Sequence, residues 1–329
     1  MAFPSWYIRT SSFVKVTLVY GFLGAGKTTL LRRLIPRLQP LGRIAVLVNE
    51  FGREGIDQHV LRTADVRVRE LTGGCICCEV RGDLLAALVQ IGREVAPERL
   101  VVEPTGLAAP YMLGQVFTQA EVREIAQVDS VVTVVDAARH EAAHQAFGDF
   151  YVDQMRVADV LAINKADIAT PEQIETARDA ARQLNPDAAL AVTSYADVDL
   201  DLVLAAIAAP RPAPAEANGA HGHGEQPELS TLGLERATFQ PESLARDHLD
   251  RWLAALARGD FGDVVRAKGI VRVDNATLLV DVVMGGVEVR TFRPTPARFE
   301  IIGRNLDPRS MEKFLANGNT HIPSPSLTQ

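Results

Sequence analysis

All three cysteines of the 329-residue chain, Cys75, Cys77 and Cys78, fall within four positions of the stretch GGCICCE. Thiolates at C-x-C-C spacing bring several soft donors within reach of one ion, and zinc takes sulfur and nitrogen in a tetrahedral shell. Gly73 and Gly74 free the backbone to curl, so the adjacent Cys77 and Cys78 need not point to opposite sides as they would in a strand. Three thiolates leave one of four positions to a labile or borrowed ligand, which suits an ion that is handed on. The competing reading is a cluster of buried structural thiols of low reactivity. An odd cysteine count argues against a disulfide framework and leaves metal binding or thiol chemistry.

A second set of residues suits phosphate. GFLGAGKT, Gly21 to Thr28, fits G-x-x-x-x-G-K-[ST]. In such a loop the glycines let backbone N–H groups turn inward around a phosphate, the Lys27 ammonium neutralises the terminal phosphates, and the Thr28 hydroxyl binds Mg²⁺ at a positive helix N-terminus. The expected phosphate contacts are Gly21, Gly24, Ala25, Gly26, Lys27, Thr28 and Thr29. Glu103, in VVEPTG, stands where a carboxylate holds magnesium through water, and the Gly106 N–H stands where it reads the γ-phosphate. A helix-capping role is the alternative for Glu103. In the later segment Asn164-Lys165-Ala166-Asp167, the Asp167 carboxylate can accept the N1–H and 2-amino hydrogens of guanine. Adenine offers neither in that arrangement, so GTP is expected over ATP. Ser194 completes the base pocket, followed by Tyr195 where a small residue would be expected.

These residues need strand ends to hold them. FVKVTLVY (13–20) is an apolar, β-branched run that stops at Gly21, and the chain turns helical after Lys27. Further strands read as IAVLVN (44–49), VRVREL (66–71), LVVE (100–103), VDSVVTVVD (128–136) and DVLAIN (159–164), with helical patterns between several of them. Continuous rather than alternating apolar character means that both faces are covered, so an α/β fold is expected: a P-loop domain with a mostly parallel sheet covered by helices. Ligands in such sheets bind at the carboxyl ends of the strands. This domain is expected over 13–208, a Pro/Gly/Ala linker over 209–231, a smaller α/β (α+β) domain over 232–318 and a tail over 319–329. In the second domain a helix is expected at 243–259, strands at 269–273, 277–283, 287–292 and 298–303, and a helix at about 307–317, giving an antiparallel sheet with helices on one face.

GFLGAGKTT, VNEFG (48–52), GGCICC, EPTG (103–106) and NKAD together resemble the CobW-type GTPases, which are related in this domain to nickel chaperones for urease and hydrogenase. The likeness extends over nearly the whole chain, through the IGRNLD strand near its end. It implies a GTP-dependent metallochaperone carrying zinc, or cobalt in members serving cobalamin synthesis, that serves an apo-metalloprotein client, with the second domain as the docking surface. It also makes Glu50 a ligand for magnesium or for the transferred metal, and Asp57 a weaker one. A GTP-dependent metal sensor that gives nothing away is the alternative, and transfer to a purified client separates the two.

The remaining features are plainer. His140 and His144 lie one helical turn apart, a spacing that can bind an ion but more often marks a solvated face. His221 and His223 sit in the linker, too few to look like a metal store. Lysine and arginine number 34 against 41 acidic residues, a formal charge of −7, with no basic block to suggest nucleic acid. No run approaches the ~18 apolar residues of a membrane span, and the start lacks a secretory pattern, so a cytoplasmic protein is expected, with a homo-oligomer left open.

Overall fold

The run Val14–Gly21 forms β1, and all but one of its eight residues are buried, as an interior parallel strand requires. It lies in the middle of a seven-stranded sheet. The computed structural model describes residues 13–48, 66–70, 79–208, 233–241, 243–292, 294 and 296–317, with only the backbone at 66–70 and 79–83. The other strands of this sheet are β2 (Ile44–Val48), β3 (Val66–Glu70), β4 (Arg99–Glu103), β5 (Ala126–Asp136), β6 (Val160–Asn164) and β7 (Ala189–Val192). Their order is β3-β2-β4-β1-β5-β6-β7, and every neighbouring pair is parallel.

Helices cover both faces. The helix α1 (Lys27–Leu38) buries Leu30, Leu31, Leu34, Ile35 and Leu38, a stripe at 3.6-residue spacing, against Val19, Val46, Val101 and Val132. Each such leucine contributes roughly 1.5–3 kcal/mol relative to exposure. The opposite face packs Leu18 and Tyr20 of β1 against α2 (Glu79–Gln90), α3 (Pro110–Phe117) and the short α4 (Ala120–Arg123). The chain continues through α5 (His140–Arg156), α6 (Pro171–Leu184) and α7 (Leu200–Ala208). At the amino ends of the strands, Arg99 pairs with Asp129 at 2.8 Å and donates to Thr17 Oγ1 at 3.2 Å, and Ser130 Oγ lies 3.0 Å from the same hydroxyl. The β1–β5 register shifts at this point, between Val16 and Thr17. Among the described residues no helix is long and apolar enough to cross a membrane.

The chain divides into two compact units, the second beginning at residue 226. The second unit contains β8 (Glu235–Phe239), α8 (Arg246–Arg258), β9 (Asp263–Val273), β10 (Ala276–Val283), β11 (Gly286–Phe292), β12 (Arg298–Arg304) and α9 (Pro308–Ala316). The strands form an antiparallel sheet in the order β11-β10-β9-β12-β8. One face of it packs on the two helices: Trp252 of α8 stacks on Phe299 with ring centroids 4.5 Å apart, among Ala267, Val271, Val280 and Met311. Two differences from the sequence reading stand out here. The strand expected at 269–273 begins six residues earlier, and β8 was not anticipated; both carry charges on the face away from the helices, such as Arg266, paired with Asp281 at 3.2 Å, and Arg236, paired with Glu300 at 2.9 Å. The expected linker and tail lie outside the described residues.

Candidate nucleotide site

The carboxyl end of β1 supplies the loop. Gly26 takes a left-handed conformation (φ 112°) as the N-cap of α1, and a Cβ added there would stand 2.5 Å from Asn164 Nδ2. Only glycine fits both demands. With no side chain capping α1, the N–H groups of its first turn are left for an anion, and the helix dipole favours negative charge there. Gly21 and Ala25 are buried, Gly24 and Thr28 are half-buried, and Thr29 is exposed on the first turn. Lys27 is buried and donates to the carbonyls of Gly21 at 2.9 Å and Phe22 at 3.4 Å, so its ammonium lies along the inside of its own loop.

Glu103 ends β4, beside β1, and is 4% exposed. Its oxygens accept from Thr28 Oγ1 at 3.2 and 3.3 Å. The hydroxyl and the carboxylate therefore meet at one point, beside the helix N-terminus, as hard oxygen donors that suit a magnesium ion. Three residues on, Gly106 is packed so closely that a Cβ would stand 2.6 Å from Leu23 N and 2.9 Å from Phe22 C.

Asn164, at the end of β6, is 1% exposed, and its amide is used by protein backbone on both sides. Nδ2 donates to Ala25 O at 2.8 Å, and Oδ1 accepts from Ala196 N at 2.8 Å. Expected to contact the nucleotide, it also ties the phosphate loop to the 193–196 segment. The second tie is Ala166 N, donating to Thr193 O at 3.2 Å. Lys165 (φ 68°), Tyr195 (φ 55°) and Ala196 (φ 51°) all adopt left-handed backbone, which turns both loops sharply beyond the sheet edge. Asp167 is exposed there and Ser194 half-buried. The two loops are thus brought together, with Tyr195 68% exposed beside them.

The histidine pair is corrected. The pattern suggested a solvated face, but His140 is buried, its Nδ1 3.0 Å from the hydroxyl of buried Tyr151; only His144 is exposed. Burial, helped by neighbouring His144, pushes the His140 pKa down to about 4. The unfolded chain takes this proton near pH 6.5 and the folded chain only near 4, so the contribution to stability is complete above 6.5 and is lost as pH falls toward 4. Replacing His140 by Gln should remove about 2 kcal/mol of the stability lost between pH 6.5 and 4.5. Urea unfolding at the two pH values checks this; an equal loss in both proteins would assign the titration elsewhere.

Glu50, Asp57, Cys75, Cys77, Cys78, His221 and His223 lie outside the described residues. Among the described residues no three His, Cys, Asp or Glu side chains are grouped to hold an ion. One contributor was missed by the sequence reading: Gln154 of α5, 1% exposed, donates from Nε2 to the carbonyls of Gly106 and Ala108, both at 3.1 Å. A glutamine within a mixed polar helix gives no signal of this.

Comparison with known proteins returns matches to both units. The model for the CobW/HypB/UreG nucleotide-binding domain matches residues 15–192, and that for the cobalamin synthesis protein cobW C-terminal domain matches residues 237–318. A zinc chaperone CobW of Pseudomonas aeruginosa is 35% identical over 202 residues, covering 52% of this chain and 54% of that protein. The zinc chaperone YeiR of Escherichia coli is 34% identical over 158 residues, covering 48% of each chain. The zinc-regulated GTPase metalloprotein activator 1 of Dictyostelium discoideum is 27% identical over 222 residues, covering 56% of this chain and 46% of that one. The chain thus spans about half the length of the curated relatives it matches.

Proposed function

Because this chain belongs to the CobW/HypB/UreG family of nucleotide-binding proteins, we propose that it hydrolyses GTP to drive delivery of a zinc ion, bound at Cys75, Cys77 and Cys78, to a client metalloprotein. The observation that carries this is the approach of Thr28 Oγ1 to the Glu103 carboxylate beside the open N-terminus of α1. A strand-end carboxylate and a helix-start hydroxyl converge there with a buried lysine on the same loop, a combination suited to a magnesium-bound polyphosphate. Magnesium would be held by Thr28 and, through water, by Glu103, and would supply positive charge to neutralise the phosphates. The rest is done by protein groups. The α1 amides and Lys27 hold the phosphates, Glu103 orients water around the ion, and the Gly106 N–H meets the γ-phosphate. Among the described residues the Gly106 N–H has no acceptor. Asp167 supplies the choice of guanine, from a loop that Thr193 and Asn164 hold in register with the phosphate loop.

Zinc is the cargo in this scheme, with cobalt as a second ion the thiolates can take; Glu50 is a further donor by family likeness. The zinc chaperones and the zinc-regulated activator among the relatives support zinc. GTP and metal are coupled only if metal affinity differs between nucleotide states, and that coupling is reciprocal. Competition with a chromophoric chelator should find one zinc per chain, held roughly tenfold tighter with a GTP analogue than with GDP, a coupling of about 1.4 kcal/mol. Replacing Cys77 and Cys78 by serine should weaken zinc about a hundredfold and leave GTP affinity in place. Equal zinc affinities in the two nucleotide states would reject the coupled mechanism.

A further inference from the structure

We propose that Gln154 is the positioning residue that holds Gly106 ready for the γ-phosphate, so that discrimination between GTP and GDP depends on a side chain that touches neither nucleotide. This rests on the assignment of the Gly106 N–H given above.

The segment 104–109 follows β4 as irregular backbone, and irregular backbone must find partners or move. Here the partners are specific. Leu107 N donates to Thr105 Oγ1 at 3.3 Å and Ala108 N to Thr105 O at 2.9 Å, closing a turn on itself. The carbonyls of Gly106 and Ala108 face the other way and are both taken by the Gln154 amide. One donor group thus fixes two peptide planes, and the fixing is buried, where a lost partner matters most. Gln154 is itself held: its own carbonyl accepts Thr133 Oγ1 from β5 at 2.6 Å.

The same stretch of α5 also grips the phosphate loop. Phe22, between Gly21 and Leu23, packs on Phe147 with centroids 4.8 Å apart and edge-on against Tyr151 at 5.7 Å. Gly148 leaves helical geometry (φ 50°) and kinks α5 just after Phe147; beyond the kink Tyr151 and Gln154, three residues apart, lie on one face. Tyr151 and Gln154 therefore hold Phe22 and Gly106 from the same face, and those two residues pack against each other. GDP lacks the group that Gly106 would meet, so a change at Gln154 should be felt by GTP and much less by GDP.

The test uses the full chain and three proteins: unmodified, Gln154→Met and Gln154→Glu. Methionine keeps length and apolar bulk but leaves both carbonyls without a donor. In Gln154→Met, affinity for GDP should stay within about twofold, affinity for a non-hydrolysable GTP analogue should fall about tenfold, and single-turnover hydrolysis should slow about tenfold. Glutamate can donate only when protonated, and then through one O–H. Gln154→Glu should therefore recover part of the GTP-over-GDP preference between pH 8 and 5.5, which Gln154→Met should not. The ionisable groups around this joint, His140, Tyr151, Asp136 and Glu103, are common to all three proteins, so the comparison at each pH isolates residue 154. Equal loss of both nucleotides, an unchanged preference, or failure of both variants to bind GDP would each reduce Gln154 to a structural residue and overturn the proposal. If the unmodified chain itself does not favour the GTP analogue, the assignment of Gly106 fails first.

Discussion

Lys27→Ala should lose nucleotide affinity by about a thousandfold and leave no measurable turnover. The ammonium lies inside the loop, 2.9 Å from Gly21 O and 3.4 Å from Phe22 O. It is already placed where several phosphate charges would gather, so little reorganisation is needed when they arrive. Charge-assisted bonds of this kind contribute about 1.5–3 kcal/mol each, and two of them account for an effect of this size. Arginine should not rescue it, because a planar fork does not fit a pocket that holds a compact ammonium with only 8% exposure. Fluorescence titration with a labelled GDP and GTP, alongside hydrolysis by the same preparations, measures both effects. Hydrolysis at the unmodified rate would remove the phosphate-loop assignment altogether.

Asp167→Asn should weaken GTP by about a thousandfold and turn the preference toward xanthosine triphosphate. The amide keeps one oxygen to accept N1–H but turns its NH₂ donor toward the 2-amino group of guanine, which loses its acceptor. Xanthine carries an oxygen in place of that amino group and accepts from the new donor. Sites built to pair a polar group discriminate by about 10⁴ when the partner is removed, far more than shape alone achieves. Competition among GTP, ATP and xanthosine triphosphate on both proteins tests this. Equal binding of ATP and GTP by the unmodified chain would end the argument for base reading by this loop.

The parts of the site that were legible in the sequence are those whose chemistry forces both residue type and spacing. Gly26 must be glycine because of its backbone angle and because Asn164 stands against it, and the lysine and threonine that follow must begin a helix. The parallel strands were readable because covering both faces leaves no position for charge, as in β2, where all five residues are buried. The second unit was harder to read. Only one face of its sheet meets the helices, and Arg266 and Lys268 interrupt the apolar pattern of β9. Gln154 and His140 were hidden for another reason: a polar residue on a helix reads as solvated until the tertiary structure brings Gly106 or Tyr151 to it. Asn164 was recognised by motif but its bonds to Ala25 and Ala196 were not, since a fixed spacing says which residue is needed and not which backbone atoms it meets.

The strand order has a consequence for the timing of synthesis. β1 lies between β4 and β5, so its partners in the sheet are made some 80 to 110 residues after it: Lys15 pairs with Arg99, and Gly21 with Val134. The phosphate loop at its end is closed by Asn164, and Asn164 in turn needs Ala196. Contacts this distant in sequence form slowly, because the intervening chain must be ordered before they are rewarded. On a ribosome, the GFLGAGKT segment emerges roughly 170 residues before Ala196, and until then the tie through Asn164 is incomplete. A nucleotide held by this loop would then meet the first unit as it closes, while the second unit is still being made. Since a ligand that binds only the folded form stabilises it by mass action, the nucleotide itself should help commit the nascent first unit to its fold.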